Sequence, residues 1–215
     1  MNKQLINRKT LRIQIRQKRG LLTDKFQKKA SQHLVKQLDS HPTLLNAKNV
    51  AIYLANDSEL DPVNLIKWCW QHNIKTYLPV IHPFTKGQLL FLHYYESSQL
   101  QLNRYDILEP VLNVSDVIPT HQLDIIFTPL VAFTKTGERL GMGGGYYDRT
   151  LAAWFEKIKG DRYNPPKKTV LTKPYPIGLA HDCQLVNKIP TEQWDIPLPE
   201  IVTPTKHYQF KLSEN

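Results

Sequence analysis

Apolar residues recur along the chain at two spacings, and segments of the two kinds alternate. A spacing of three to four residues predicts amphipathic helices at residues 3–19, 24–38, 62–72 and 146–158. Short apolar runs bounded by turn residues predict strands at residues 50–54, 76–80, 89–94, 124–128 and 176–180. Because strands alternate with helices, the pattern predicts an α/β fold with a mostly parallel sheet covered on both faces.

The remaining segments carry turn residues and polar residues. Lys86 and Gly87 predict a hairpin turn, and residues 96–122 predict a long surface excursion. Residues 160–174, rich in proline and lysine, predict a mobile loop. A chain of 215 residues is long enough for one well-buried core and short for two full domains, so a single domain is expected.

The composition is that of an ordinary globular protein, with 41% hydrophobic and 22% charged residues. No apolar run approaches the roughly 20 residues needed to span a bilayer, and the N-terminus lacks the pattern of a signal peptide. We therefore expect a cytoplasmic protein without membrane contact. Cys69 and Cys183 lie far apart and form no metal-binding motif, so free thiols are expected.

The formal net charge of +9 comes entirely from the N-terminus. Residues 1–29 hold ten basic side chains and one acidic one, whereas the rest of the chain holds 18 of each. The spacing of Arg8, Arg12, Arg16 and Arg19 places these arginines on one face of a helix. Three interpretations stay open: a solvated basic face, a nucleic-acid-binding stripe, or arginines that reach a nucleotide phosphate.

A glycine cluster lies between the predicted strand 124–128 and the helix 146–158. The run from Arg139 to Asp148 contains four of the nine glycines within five positions. Free amides at a helix start favour an anion, so the cluster predicts phosphate binding, although a glycine hairpin without a ligand would give the same local pattern. Neither common nucleotide motif fits. The Walker A motif requires Lys after its last glycine and the dinucleotide fingerprint requires a third glycine, but Tyr146 occupies both of these positions.

Three acidic residues are candidates for chemistry. Asp148 and Asp195 could bind Mg²⁺ near a nucleotide, although Asp148 is also placed to cap the following helix. Glu59 follows the first predicted strand, where α/β sheets bind ligands, but a solvent-facing acid is the simpler interpretation. His72 and His181 have no recognisable nucleophile or metal partner, and no catalytic role is assigned to them.

Three segments together resemble the 5-formyltetrahydrofolate cyclo-ligase family, also called 5,10-methenyltetrahydrofolate synthetase. They are Arg8-Lys9-Thr10-Leu11-Arg12, the stretch from Ile52 to Glu59, and the segment from Pro129 that ends in Arg-Leu-Gly-x-Gly-x-Gly-Tyr-Tyr-Asp. The resemblance reaches about residue 203, which implies one domain over residues 1–203 and a C-terminal tail over residues 204–215. It also implies a three-layer fold like that of the NagB/RpiA/CoA-transferase group.

The resemblance implies an ATP-dependent closure of 5-formyltetrahydrofolate to 5,10-methenyltetrahydrofolate through phosphorylation of the formyl oxygen. ATP is the implied co-substrate and Mg²⁺ the implied cofactor, in a monomer that binds no nucleic acid. The implied ATP contacts are Arg8, Lys9, Arg12, Arg139, Gly141, Gly143, Gly144, Gly145, Tyr146 and Tyr147. The implied folate contacts are Leu54, Glu59, Met142, Gly143, Gly144, Gly145 and Tyr146. Arg139 and Tyr146 are the implied catalytic residues, and Asp148 and Asp195 the implied metal ligands.

The chain departs from the family pattern at two positions. Met142 stands where many relatives have a larger polar or aromatic residue, and Gly144 stands where some have Lys, which makes the arginines more important as phosphate contacts. Two other functions stay open. The basic helix fits a non-enzymatic RNA-binding protein, and the fold fits a sugar-phosphate isomerase or an acyl-CoA enzyme, although no catalytic Glu-Gly pair is evident.

Overall fold

The computed structural model describes residues 7–159 and 172–210. The α-helices in these ranges are α1 (Arg8–Gly20), α2 (Asp24–Leu38), α3 (Pro42–Leu45), α4 (Val63–Gln71) and α5 (Tyr146–Lys159). The four predicted helices are confirmed within the described residues, and the short α3 was not predicted. The loop predicted at residues 160–174 lies almost wholly outside the described residues.

The first two helices begin at side-chain caps. The Asn7 side chain accepts a hydrogen bond from the Thr10 amide at 2.8 Å, and the Thr23 hydroxyl accepts one from the Phe26 amide at 3.3 Å. Each cap satisfies one of the amide groups that a helix start leaves without an intrahelical partner. The second cap confirms the helix start that was predicted at Asp24.

The strands fall into one large sheet and two small hairpins. They are β1 (Asn49–Ala51), β2 (Lys75–Ile81), β3 (Leu89–Tyr94), β4 (Leu100–Leu102), β5 (Leu108–Pro110), β6 (Val117–Ile118), β7 (Ile125–Pro129), β8 (Ala132–Phe133), β9 (Arg139–Leu140), β10 (Tyr175–Leu179), β11 (Glu200–Val202) and β12 (His207–Gln209). The large sheet has the order β12-β11-β10-β7-β1-β2-β3-β6. Strands β11, β10, β7, β1 and β2 run parallel, while β12, β3 and β6 pair antiparallel at the edges.

Side chains alternate across this sheet and create two cores. Ile125 and Phe127 of β7 face one side, where they pack in a cluster with residues of α2, α3 and α4. Ile126 faces the other side and packs with Leu151 and Trp154 of α5. Because both sheet faces are buried, β7 is apolar at nearly every position, as is typical of a central parallel strand. The mostly parallel three-layer α/β prediction is confirmed.

Several elements differ from the predicted ones. Residues 96–122, predicted as a surface excursion, contain β4, β5 and β6, and β4 and β5 form a hairpin of their own. The hairpin β8–β9 separates the central strand from the glycine cluster. Strand β12 lies within the segment predicted as a tail and pairs with β11, so residues 207–209 extend the sheet.

The parallel strands end on the same side as a large cavity. Leu54 follows β1, Ile81 ends β2 and Pro129 ends β7, and all three line the cavity. This edge of a parallel sheet is where α/β folds place their ligand sites. No helix in the described part of the chain combines the length and the hydrophobicity that crossing a bilayer requires.

Candidate active site

The cavity has a volume of about 730 Å³, within the range of small-molecule sites. Its lining contains fourteen of the fifteen residues that the resemblance assigned to the site: Arg8, Arg12, Leu54, Glu59, Arg139, Gly141, Met142, Gly143, Gly144, Gly145, Tyr146, Tyr147, Asp148 and Asp195. Lys9 is the exception, because it is exposed on α1 and does not line the cavity. Residues far apart in sequence thus meet around one space.

The glycine loop, residues 141–145, leads from β9 directly into α5. Gly143 has φ +108° and Gly145 has φ +65°, conformations that side-chain-bearing residues rarely adopt. Among the described residues, no hydrogen bond uses the backbone amide of Gly143, Gly144 or Gly145 as donor. These unpaired amides lie beside the N-terminus of a 14-residue helix, and the arrangement favours an anion.

One side chain that sequence reasoning missed, Arg149, holds this loop. The Nε of Arg149 donates to the Gly87 carbonyl at 2.7 Å, and its Nη2 donates to the Gly144 carbonyl at 2.5 Å. The guanidinium also lies 5.6 Å from the ring centroid of Tyr146. Arg149 follows the Tyr-Tyr-Asp motif by one residue, which is the only sequence signal that points to it.

Two residues of the segment 96–122 contact the hydroxyl of Tyr146. Arg104 Nη2 donates to Tyr146 Oη at 2.7 Å, and the Tyr105 and Tyr146 hydroxyls are 3.1 Å apart. Burial alone would raise the pKa of Tyr146, but the hydrogen bonds with Tyr105 and Arg104 outweigh it and lower that pKa. The predicted catalytic residue is therefore a better proton donor than an ordinary tyrosine.

Helix α1 presents three arginines to the cavity, and each contacts a different partner. Arg8 forms a bidentate ion pair with Asp195, in which Nη2 lies 2.8 Å from Oδ1. Arg12 Nε donates to the Gly141 carbonyl at 2.7 Å and so joins α1 to the glycine loop. Arg16 Nε lies 2.7 Å from Asp57 Oδ2. The stripe faces the cavity, so the interpretation as a merely solvated basic face is wrong for these residues.

Asp57 links α1 to the loop that carries Glu59. Arg16 is joined at this carboxylate by Arg19, whose fully buried side chain places Nη2 2.5 Å from Asp57 Oδ2. The hydrogen bond from Arg16 lowers the pKa of Asp57, even though partial burial opposes it. Asp57 itself has φ +50°, so the ion pairs hold a turn that few non-glycine residues favour.

Arg139 is buried, with an exposed fraction of only 3%, beneath the loop. Its Nε donates to the Ile196 carbonyl at 3.1 Å, and its Nη2 donates to Asp148 Oδ1 at 2.6 Å. Asp148 Oδ1 also accepts the Ile196 amide at 3.3 Å. Asp148 lies inside the first turn of α5 and faces Arg139, so the interpretation of Asp148 as a helix N-cap is wrong.

Asp195 is bonded through both carboxylate oxygens. Beside its pair with Arg8, Oδ2 accepts the Glu192 amide at 2.8 Å. Burial would raise the pKa of Asp195, but the Arg8 hydrogen bond prevails and lowers it. Both predicted metal ligands are therefore ion-paired with an arginine.

The pKa of Glu59 is raised, whereas the pKa values of Asp57 and Asp195 are lowered. Its carboxyl accepts one hydrogen bond, from the Asn56 amide at 3.2 Å. Loss of hydration raises the pKa of Glu59 to about 7, although the charge of Arg19 acts in the other direction. Near neutral pH this carboxyl is therefore partly protonated and can donate a hydrogen bond as well as accept one.

The rest of the lining is largely apolar and includes the hairpin that was not predicted. The apolar residues that sequence reasoning missed are Leu78, Pro79, Ile81, Leu89, Ile107, Leu108, Pro129 and Leu130. Buried Glu109 of β5 also lines the cavity, and its Oε2 accepts the Ile81 amide at 3.2 Å and the Asn103 side-chain amide at 3.0 Å. A charged surface and an apolar surface thus share one cavity, which suits a ligand pair with both characters.

The carboxylates also meet the chemical requirement for Mg²⁺, which prefers oxygen ligands. Asp148 and Asp195 both line the cavity, and among the described residues Asp148 Oδ2 has no hydrogen-bond partner. Asp195 has no spare oxygen while Arg8 is bound to it. The two carboxylates therefore match the ion's ligand preference, and Asp148 is the one of the two with a free oxygen among the described residues.

Comparisons with known proteins agree with the resemblance. The model of the 5-formyltetrahydrofolate cyclo-ligase family matches residues 5–204. A curated relative from Escherichia coli strain K12, named 5-formyltetrahydrofolate cyclo-ligase, is 46% identical over 196 residues, covering 91% of this chain and 100% of that protein. A relative of the same name from Haemophilus influenzae is 44% identical over 195 residues, covering 91% of this chain and 96% of that protein.

Solved structures show the same fold. The NMR structure of Aquifex aeolicus 5,10-methenyltetrahydrofolate synthetase superposes with a TM-score of 0.75 at 24% identity and covers 97% of this chain and 95% of its own. A 5,10-methenyltetrahydrofolate synthetase from Mycoplasma pneumoniae superposes with a TM-score of 0.66 at 22% identity, with 93% and 99% covered. At this identity the likeness shows the fold alone.

Proposed function

The chain belongs to the 5-formyltetrahydrofolate cyclo-ligase family, and from this premise we propose that it converts 5-formyltetrahydrofolate and ATP into 5,10-methenyltetrahydrofolate, ADP and phosphate. The observation that carries the proposal is the convergence of the glycine loop, the α1 arginines and Glu59 on one cavity. A cavity with unpaired amides, guanidinium groups and an apolar wall suits both a triphosphate and a pterin ring.

The chemistry consists of two displacements. The formyl oxygen attacks the γ-phosphorus of ATP, and the bond to the β-phosphate oxygen breaks, which releases ADP. Nitrogen N10 then attacks the activated formyl carbon, loses its proton, and the carbon–oxygen bond breaks with release of phosphate. These steps require alignment and charge stabilisation rather than a side-chain nucleophile, and the cavity offers no catalytic triad in its lining.

The ATP phosphates are proposed to bind the glycine loop. The amides of Gly143 to Gly145 would donate to phosphate oxygens, and Arg12 would donate from the guanidinium atoms that Gly141 leaves free. Arg139 would act from below, because its buried guanidinium fixes Asp148 and the start of α5. Lys9 is the one proposed ATP contact that the geometry does not support.

The folate is proposed to bind between the loop and the first strand. Leu54 and Met142 would contact the ring system, and the partly protonated Glu59 would hydrogen-bond a polar edge of the pterin. Tyr146, with its lowered pKa, would stabilise negative charge that develops on the transferred phosphoryl group. Its hydroxyl is already oriented by Arg104 and Tyr105.

Asp148 and Asp195 are the residues proposed to hold Mg²⁺. When bound, the ion would supply charge neutralisation at the transferred phosphoryl group. Arg8 pairs with Asp195 at the cavity, where its guanidinium would add positive charge for the nucleotide phosphates.

The test is formation of the methenyl product. Purified protein with 5-formyltetrahydrofolate and Mg-ATP is expected to produce the near-ultraviolet methenyl chromophore and ADP in equal amounts. Omission of ATP is the control and should abolish the chromophore. Absence of the chromophore with all components present, from protein that is folded by circular dichroism, would refute the proposed function.

We further propose that the protein acts as a monomer in the cytoplasm. Fourteen of the fifteen residues that the resemblance assigned to the site line one cavity within a single chain, which supports a monomer. Light scattering at assay concentration checks the mass, for which 25.0 kDa is expected. Fractionation of cells that express the protein checks the location.

A further inference from the structure

A second cluster of potential ligands lies away from the cavity, at the edge of the sheet where the chain ends. His41 precedes α3, Glu200 begins β11 and His207 begins β12. His41 Nε2 lies 2.9 Å from Glu200 Oε2, and His207 Nε2 lies 3.2 Å from the same oxygen. His41 and Glu200 are buried, and one ligand atom from each of the three residues lies within 4.8 Å of the others.

These distances are close to those within a metal centre. Zn²⁺ bound to imidazole nitrogen and carboxylate oxygen at about 2.0–2.1 Å in tetrahedral geometry separates neighbouring ligand atoms by roughly 3.3–3.4 Å. The two separations from Glu200 Oε2 differ from that value by a few tenths of an ångström. All three ligand atoms lie within 4.8 Å of one another, so side-chain rotations within the cluster would admit an ion, and two histidines with one carboxylate are a known zinc-binding set.

The surroundings of the cluster support a metal site. Gln209 Nε2 donates to Glu200 Oε1 at 3.0 Å, so the second carboxylate oxygen is oriented by a neighbour, as is usual for metal-binding carboxylates. The His207 side chain keeps 25% of its surface exposed, which leaves a path for an ion and for a water as fourth ligand. None of these residues lines the cavity of the proposed reaction.

We propose that His41, Glu200 and His207 bind one Zn²⁺ or a similar borderline divalent cation. The ion would join the start of α3, β11 and β12, and so fasten the last strand to the sheet. His207 lies beyond residues 5–204, which the family model matches, so the family match alone does not account for this cluster. The cluster is separate from Asp148 and Asp195 and from the cavity of the proposed folate reaction.

The experiment uses the full chain without an affinity tag, stripped with EDTA and dialysed. Zn²⁺ is titrated by calorimetry and by thermal unfolding in millimolar Mg²⁺, which occupies carboxylate sites but not imidazole sites. We expect one Zn²⁺ per chain and a rise in Tm of about 5–10 °C at a hundredfold excess over Kd. Co²⁺ in place of Zn²⁺ should give the visible absorption of a tetrahedral nitrogen and oxygen site.

The variants His207→Gln and Glu200→Gln are expected to lower zinc affinity by about 100-fold or more, beyond the 10–100-fold effect of losing a supporting contact. His33→Gln on the exposed face of α2 and Asp148→Asn in the cavity are the matched controls, and both should bind Zn²⁺ like the parent chain. Absence of a zinc-dependent Tm change in the parent, or an equal change in His207→Gln, overturns the proposal and leaves a hydrogen-bonded cluster only.

Discussion

The arginines of α1 differ in role because they differ in burial and in hydrogen-bond partners. Arg19 is fully buried and is bonded to Asp57, a carboxylate that it shares with Arg16. Among the described residues Arg12 donates only through Nε, so the other guanidinium nitrogens are available beside Gly143. The first residue therefore has a structural role, while the second retains capacity for an anion.

Replacement of Arg12 tests this difference at the level of binding. Arg12→Ala is expected to raise KM for ATP by about 10–100-fold, because a charge-assisted hydrogen bond contributes roughly 1.5–3 kcal/mol. Lys9→Ala is the matched control on the same helix, and KM should change less than about twofold since Lys9 does not line the cavity. Steady-state kinetics at saturating folate measure both, and equal effects would contradict the proposed phosphate contact.

Glu59 makes the stability of the protein depend on pH. Its folded-state pKa of about 7 lies above the ordinary value of 4.5, so the folded protein binds more protons than the unfolded chain between these values. The contribution of Glu59 to stability therefore decreases as pH rises from 4.5 through 7. We compare the free energy of unfolding of Glu59→Gln with that of the parent at each pH. The difference in favour of Glu59→Gln is expected to be about 2–3 kcal/mol larger at pH 8 than at pH 5.

Urea denaturation of the parent and of Glu59→Gln at pH 5 and pH 8 measures this difference. Glu192→Gln is the control, because Glu192 also lines the cavity but is exposed. Its stability relative to the parent should be the same at both pH values. A pH-independent difference for Glu59→Gln would show that the carboxyl is fully hydrated and ionised at both.

At the scale of elements, the glycine loop depends on backbone geometry. Gly143→Ala is expected to destabilise the protein by about 1–3 kcal/mol, because its φ of +108° is unfavourable for any residue with a Cβ. Gly141 lacks a positive φ, and a Cβ there would meet no atom within 4 Å. Gly141→Ala is therefore the control, and its free energy of unfolding should stay within about 0.5 kcal/mol of the parent.

Urea denaturation of the unliganded variants measures the comparison. Because substrates are absent, the measurement reports loop strain separately from the loss of phosphate contacts. If both alanine variants unfolded at the same urea concentration, the loop would be adaptable rather than preorganised, and its proposed function as a phosphate cradle would lose its structural basis.

The elements that sequence predicts best are those with long periodic patterns. Helices α2 and α5 begin at the predicted residues and end within one residue of the prediction, since each spans several turns with an apolar stripe. Strand β11 was missed because it is three residues long, and its first residue, Glu200, is a buried carboxylate that reads as polar in a pattern. Partners supplied by the fold stabilise that residue, and a local pattern does not include them.

Some residues of the site can be predicted from local sequence patterns, and others only from contacts between distant parts of the chain. The glycine loop is evident from composition, and Asp195 was a candidate Mg²⁺ ligand from its residue type, whereas Glu59 gained a specific role only from the family resemblance. Asp57, Arg149 and the β4–β5 hairpin were missed, because their importance comes from contacts with partners 38 to 62 positions away or from a surface that forms only in the fold. Such contacts follow from topology and leave little trace in local spacing.

At the scale of the whole molecule, the basic side chains of the N-terminal segment lie in two kinds of environment. Arg8, Arg12 and Arg16 line the cavity, while Lys9 and Lys18 are exposed outside it. Guanidinium groups around a partly enclosed space raise the local concentration of anions. The same charges that would form an RNA-binding stripe on an isolated helix are, in the folded chain, directed toward a cavity suited to a nucleotide.

Stability and substrate binding are also distributed differently over the molecule, and two tyrosines make this testable. Tyr208 of β12 packs on buried Phe133 with ring centroids 5.3 Å apart, away from the cavity. Tyr105 is exposed, lines the cavity and lies within hydrogen-bond distance of Tyr146. The first residue therefore stabilises the sheet edge, and the second supports a side chain of the site.

Tyr208→Ala is expected to lower the free energy of unfolding by about 2 kcal/mol, less than for a fully buried ring, with both KM values unchanged within about twofold. Tyr105→Ala is expected to show the reverse. Its free energy of unfolding should stay within about 0.5 kcal/mol of the parent. Its KM for folate should be about tenfold higher, because Tyr146 loses a hydrogen bond that orients it. Urea denaturation and steady-state kinetics on both variants provide the four values. A common pattern in the two variants would mean that the sheet edge and the cavity are energetically coupled, since independent sites contribute separately.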